Sequence, residues 1–109
     1  METPPAIHVI RKNDPDLPPI ELLDREAGLH RSGYWVLSEE KARSLVGGMI
    51  YFHREQARPS FFGGLITHTE KILSGDYAGR IAFTFRFDPT CRNVHTPRAG
   101  WGQEMKLIP

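Results

Sequence analysis

A single cysteine, Cys91, stands among 109 residues, so an internal disulfide is excluded and no cysteine cluster offers a metal site. Cys91 is read as a small structural residue. No apolar stretch approaches the roughly 20 residues that a membrane-spanning helix needs, and Met1-Glu2-Thr3-Pro4-Pro5 has neither the basic start nor the apolar centre of a secretory signal. A soluble protein in the cytoplasm is the expectation. Catalytic signatures are missing too: there is no Gly-x-Ser-x-Gly elbow, no phosphate loop ending in Gly-Lys-Ser/Thr and no His-Glu-x-x-His pair. The five histidines, His8, His30, His53, His68 and His95, never stand one helical turn apart. No metal, no cofactor and no catalytic residue is therefore assigned.

What is present suits one modest core. Hydrophobic residues make up 39% of the chain and aromatics 10%, enough for a core of that size rather than for a disordered chain. The net charge of +1 conceals an asymmetry: residues 1–40 carry eight acidic and four basic side chains, residues 41–109 five acidic and ten basic. A basic body beside an acidic segment points to an anionic ligand, set against the plainer reading of solvated surface charge.

Five of the nine prolines fall within the first nineteen residues. Residues 1–32 accordingly read as an N-terminal arm, with at most one strand at Ile7-His8-Val9-Ile10 and a short helix opened by Pro19, running through Glu21, Leu22, Leu23 and Glu26 and leaving at Gly28. Residues 33–109 read as a single domain. Gly33-Tyr34-Trp35-Val36-Leu37 has strand composition. Ser38 then caps a second short helix, with Glu39 and Glu40 in its first turn, Ala42, Leu45 and Val46 at helical spacing and Gly47 at its exit. Met49 to His53 forms the next strand and Leu65 to Ile72 its antiparallel partner, joined by the polar loop Arg54 to Ser60. In Arg80 to Phe87, Ile81, Phe83, Phe85 and Phe87 alternate with Arg80, Ala82, Thr84 and Arg86, giving one core face and one wet face. Met105, Leu107 and Ile108 suggest an edge strand at the end.

The pairs Gly47-Gly48 and Gly63-Gly64 bracket the Met49 strand and its loop. Neither precedes a helix with phosphate-loop spacing, so they are read as a helix exit and a strand bulge, the second pair also marking a close backbone approach. Around them, aromatic residues interleave with arginines, and aromatic rings stack on bases where arginines hold phosphates. The candidate contacts are Tyr34, Trp35, Tyr51, His53, Arg54, Arg58, Phe61 and Arg86.

The order of these features, a Tyr34-Trp35 strand, a helix with Ala42 and Leu45, Gly48, the strand Ile50-Tyr51-Phe52-His53, a polar loop, Phe62-Gly63-Gly64 and a return strand, resembles the PUA-like superfamily, specifically EVE and ASCH domains. The resemblance covers residues 33–87 and departs from the family in having Gly47-Gly48-Met49 where a Gly-Asp is usual. It implies an α+β fold, a small, mostly antiparallel β-barrel with two short helices. The implied role is a non-enzymatic binder of RNA or DNA, a reader of modified bases in a phage or anti-phage setting, with Tyr34, Trp35, Tyr51, Phe52 and His53 lining or supporting the pocket. Two other readings stand beside it. One is a small adaptor or inhibitor that binds a protein partner through the acidic arm or through Phe61 and Phe62. The other is a small nucleotide- or nucleic-acid-processing enzyme with His53 or His68 as acid or base.

Overall fold

Seven strands form one sheet in the computed structural model, which describes residues 4–11, 20–102 and 104–108. They are β1 (Ala6–Ile10), β2 (Glu21–Asp24), β3 (Leu29–Trp35), β4 (Met49–His53), β5 (Phe62–Lys71), β6 (Ile81–Phe87) and β7 (Met105–Ile108), with helix α1 (Glu39–Ser44) between β3 and β4. Their order across the sheet is β2-β3-β6-β5-β4-β1-β7. All neighbours are antiparallel except β1 and β4, which run parallel from Ala6↔Met49 to Ile10↔His53.

The sheet is open, which corrects the expected closed barrel and with it the PUA-like description of the fold. The likeness that implies a barrel covers residues 33–87 and takes no account of β1. The free edge of β4 is instead taken by β1, and the far edge of β1 by β7, so the sheet is extended rather than closed. At the opposite edge β2 has only four residues, carries Glu21 and Asp24, and is bulged at Leu23, features that blunt an edge against further pairing.

One α-helix is present among the described residues rather than two. Pro19, expected to open the first, lies outside those residues, and Glu21 to Asp24 pair with β3. A helix of this length is marginal without a core beneath it, whereas pairing with β3 satisfies the backbone directly. Gly28 serves the hairpin turn instead of a helix exit: its φ is +68°, Asp24 Oδ1 accepts from the Ala27 N–H at 3.1 Å, and the Arg25 carbonyl accepts from the Gly28 N–H. The second helix forms as its sequence indicates. Ser38 Oγ accepts from the Lys41 N–H, Glu39 and Glu40 occupy the first turn, and Gly47 takes a φ of +88° just beyond the exit.

The apolar alternation in β6 defines the core. Phe83 and Phe85 are fully buried and Ile81 nearly so, facing Ile66 of β5, Phe52 and Ile50 of β4, and Ile7 and Val9 of β1; Ala42 and Leu45 close the same face. Burial of Phe52, Phe83 and Phe85 contributes roughly 1.5 to 3 kcal/mol each. The opposite face carries His8, Tyr51, His53 and Lys106, and the chain between β6 and β7 crosses over it. That connection begins with a 3-10 turn at Pro89–Cys91, capped by Asp88.

Gly63 and Gly64 lie within β5, while the β5 bulge falls between Ile66 and His68. Their requirement for glycine is steric. A Cβ on Gly63 would run into the Ile50 carbonyl and meet Cys91 Cβ at 2.9 Å; one on Gly64 would run into the Arg86 carbonyl. The two carbonyls belong to the backbone of the neighbouring strands β4 and β6 and cannot step aside. Replacing either glycine by alanine should lower stability by about 2 kcal/mol or more. Gly47→Ala has open space and only the left-handed backbone to oppose it, so its cost should be about 1 kcal/mol. Urea denaturation of the three variants checks this ranking; equal midpoints would contradict it.

Candidate functional site

The residues proposed from sequence divide between two regions of the sheet. Tyr34 and Trp35 lie on β3, three strand positions or about 14 Å from β4 at ordinary strand spacing. Trp35 is buried in the core, and Tyr34 stacks on Tyr77 with centroids 4.4 Å apart. Arg86 is exposed on β6. Tyr51, His53, Arg54, Arg58 and Phe61 belong together at the end of β4 and its loop.

Within that group the side chains separate by face. The Arg54 guanidinium lies over the Phe61 ring, 3.9 Å from its centroid, and donates from Nη1 to the Arg11 carbonyl at 3.0 Å. Arg58 is exposed and pairs loosely with Glu55 at 3.7 Å. Arg92, just past the 3-10 turn, lies 5.0 Å from the centroid of Phe87. This end of the sheet therefore presents two guanidinium groups set against rings, Arg54 and Arg92, with Arg58 exposed nearby.

His53 points the other way and is wholly buried. Its Nδ1 lies 2.8 Å from the Arg58 carbonyl, and its Nε2 lies 2.8 Å from Nδ1 of His8. A carbonyl only accepts, so His53 Nδ1 carries the hydrogen and its Nε2 holds the lone pair. His8 Nδ1–H then donates to that lone pair, leaving His8 Nε2 as an acceptor. The result is a directional chain from His8 through His53 to the Arg58 backbone.

His8 is the residue that sequence reading missed as a site member. The β alternation of Ile7 to Ile10 marks a strand, but no sequence signal pairs it with Met49 to His53, 45 residues from His8 to His53. The parallel register sets His8 beside Tyr51, whose ring stacks on the imidazole at 4.6 Å and 17°, and leaves His53 two residues further on the same face. His68, the other histidine considered as an acid or base, is exposed and hydrogen-bonds with Thr67 Oγ1.

The strap of residues 92–102 covers this pair. Trp101 stands edge-on to both imidazoles, with centroids 6.2 Å from His8 and 5.5 Å from His53. Ser60 fastens one end of the strap: its Oγ donates to the Cys91 carbonyl and accepts from Val94 N–H, while its backbone bonds with Asn93 and Val94. Lys106 Nζ ties the middle by donating to the Pro97 carbonyl at 2.7 Å, and Gln56 Nε2 donates to the Gly102 carbonyl. Cys91 is buried beside Gly63; burial, with Asp88 nearby, pushes its thiol up to about 11, so it stays protonated. Among the described residues, no group of three or more His, Cys, Asp or Glu is placed to hold a metal ion. No described helix is long and apolar enough to cross a membrane.

Burial, then the neighbouring His53 and Lys106, lower His8 from 6.5 to about 4. Burial also lowers His53, partly opposed by its bond to the Arg58 carbonyl and reinforced by His95. In the unfolded chain these imidazoles take up protons near pH 6.5, while the folded pair resists until lower pH. Stability from this source is therefore present above about pH 6.5 and is lost as pH falls toward 4. His8→Asn keeps an N–H donor for His53 and removes one titration. Between pH 6.5 and 4, the wild-type urea midpoint should fall more steeply than that of His8→Asn; parallel curves would refute the assignment.

Comparison of the chain with protein-family models, curated proteins and solved structures returned no match.

Proposed function

We propose that the protein is a nucleic-acid-binding domain whose contact surface is the end of the sheet formed by the β4–β5 loop, the exit of β1 and the turn after β6. The observation that carries this reading is the Arg54 guanidinium lying over the Phe61 ring, with Arg58 exposed on the same loop and Arg92 placed against Phe87 after β6. A ring-backed guanidinium is already oriented, so less side-chain entropy is lost when it grips a phosphate or stacks on a base. Arg58 adds charge at the surface, and its loose pair with Glu55 is of the exposed kind that holds little energy.

Roles divide by position within this site. Arg54 and Arg58 are the phosphate contacts. Phe61 backs Arg54, and Tyr51 together with His53 shapes the strand beneath. Tyr34 and Trp35 lie at a distance and are outside this surface, as is the modified-base pocket that a closed barrel would have formed. A cytoplasmic setting belongs to the same proposal.

Binding of this type is dominated by counterion release and is therefore steep in salt. Fluorescence anisotropy with short single-stranded RNA and DNA, and with a duplex, should show affinity falling as salt rises. Arg54→Ala and Arg58→Ala should each reduce the log-log slope by about one. Absence of binding to every one of these probes at low salt would rule the reading out.

A further inference from the structure

Of the six phenylalanines in the chain, Phe52, Phe83 and Phe85 are wholly buried, whereas Phe61, Phe62 and Phe87 remain half-buried at the entry to β5 and the exit of β6. These three share one end of the sheet. Phe52 packs on both Phe61 and Phe62, with centroids 6.5 and 6.2 Å apart, and Phe62 stacks on Phe87 at 5.0 Å and 16°. An arginine closes each end of this row. The Arg54 guanidinium lies over Phe61 at 3.9 Å from its centroid, and that of Arg92 over Phe87 at 5.0 Å.

Backbone bonds tie the two ends of the row together. The Asn93 N–H donates to the Ser60 carbonyl at 2.6 Å and the Ser60 N–H to the Val94 carbonyl at 2.9 Å, which joins the residue before Phe61 to the residue after Arg92. Arg54 and Arg92 are nonetheless both exposed. A guanidinium that lies over a ring has a second planar face turned away from that ring, and its N–H groups project from the edge of the plane. Such a face stacks on a nucleobase as an aromatic ring does, while the edge holds a phosphate.

We propose, resting on the nucleic-acid reading above, that this end of the sheet selects single strands, with unpaired bases stacking on Arg54 over Phe61 and on Arg92 over Phe87. In a duplex each base is covered by its neighbours and offers only its edge in a groove, so a stacking plane gains nothing from it. A single strand leaves base faces free. Contact with phosphates alone gives the opposite preference, because the duplex carries the denser charge and releases more counterions for each phosphate neutralised.

The test is fluorescence anisotropy of the full chain at one low salt concentration with five probes: a short RNA strand, the same sequence as DNA, each of these annealed to its complement, and a DNA strand of equal length whose sugars carry no bases. The better-bound single strand should exceed both its own duplex and the abasic strand by about tenfold or more. The RNA and DNA arms identify which strand the site takes. Arg54→Lys and Arg92→Lys keep the charge and lose the plane, so each should weaken single-strand binding about tenfold while the salt slope stays the same, with circular dichroism confirming that both variants fold. Duplex or abasic binding equal to that of the single strand, or unchanged single-strand affinity in either folded lysine variant, would overturn the selection of unpaired bases and leave the nucleic-acid reading standing. Absence of binding to all five probes would remove both.

Discussion

The parallel pairing of β1 with β4 is the constraint on which the rest of the structure depends. It places a strand from the start of the chain beside one from its middle, and β7 then completes the sheet against β1. The same register brings His8 next to Tyr51 and within hydrogen-bond reach of His53. Because β7 lies at the far edge, the connection leaving β6 must travel across β5, β4 and β1 to reach it. Burial of the histidine face is thus a consequence of strand order.

The two faces of the sheet are stabilised by different means. On one, Phe52, Phe83 and Phe85 pack with the aliphatic residues of β1, β4 and β5 under Ala42 and Leu45, and removal of apolar surface from water is the driving term. On the other, few apolar side chains are available, and the strap is held by directed bonds from Ser60, Lys106 and Gln56. Such bonds yield modest net stability but leave little freedom of orientation. They fix the geometry around His8 more than they hold the fold together. Gly63 joins the two roles, since the space it leaves lets Cys91 and the start of the strap approach the sheet.

Much of this architecture was legible from local pattern. The Met49 to His53 strand, the Phe83-Phe85 core face, the Ser38 cap and the terminal edge strand all follow from period-two alternation or end chemistry, which act over a few residues. The segment Glu21 to Asp24 reads locally as helix, because a proline, two leucines and a glycine satisfy helix-end rules; pairing with β3 overrides that preference. The likeness to a closed barrel rested on the order of elements within residues 33–87. Order alone does not say which strand takes the last free edge.

By itself the sequence determined that Met49–His53 and Ile81–Phe87 become strands, where the core face lies, and that Arg54, Arg58 and Phe61 fall close together in the chain, because these depend on neighbours a few positions apart. Only the tertiary structure decided that the sheet stays open, that His53 turns inward to His8, and that Trp101 packs on both imidazoles while Lys106 lies beside His8. Those contacts join residues from 45 to nearly 100 positions apart, and the pairing of β1 with β4 and β7 that creates them is specified by the assembled sheet rather than by any local run.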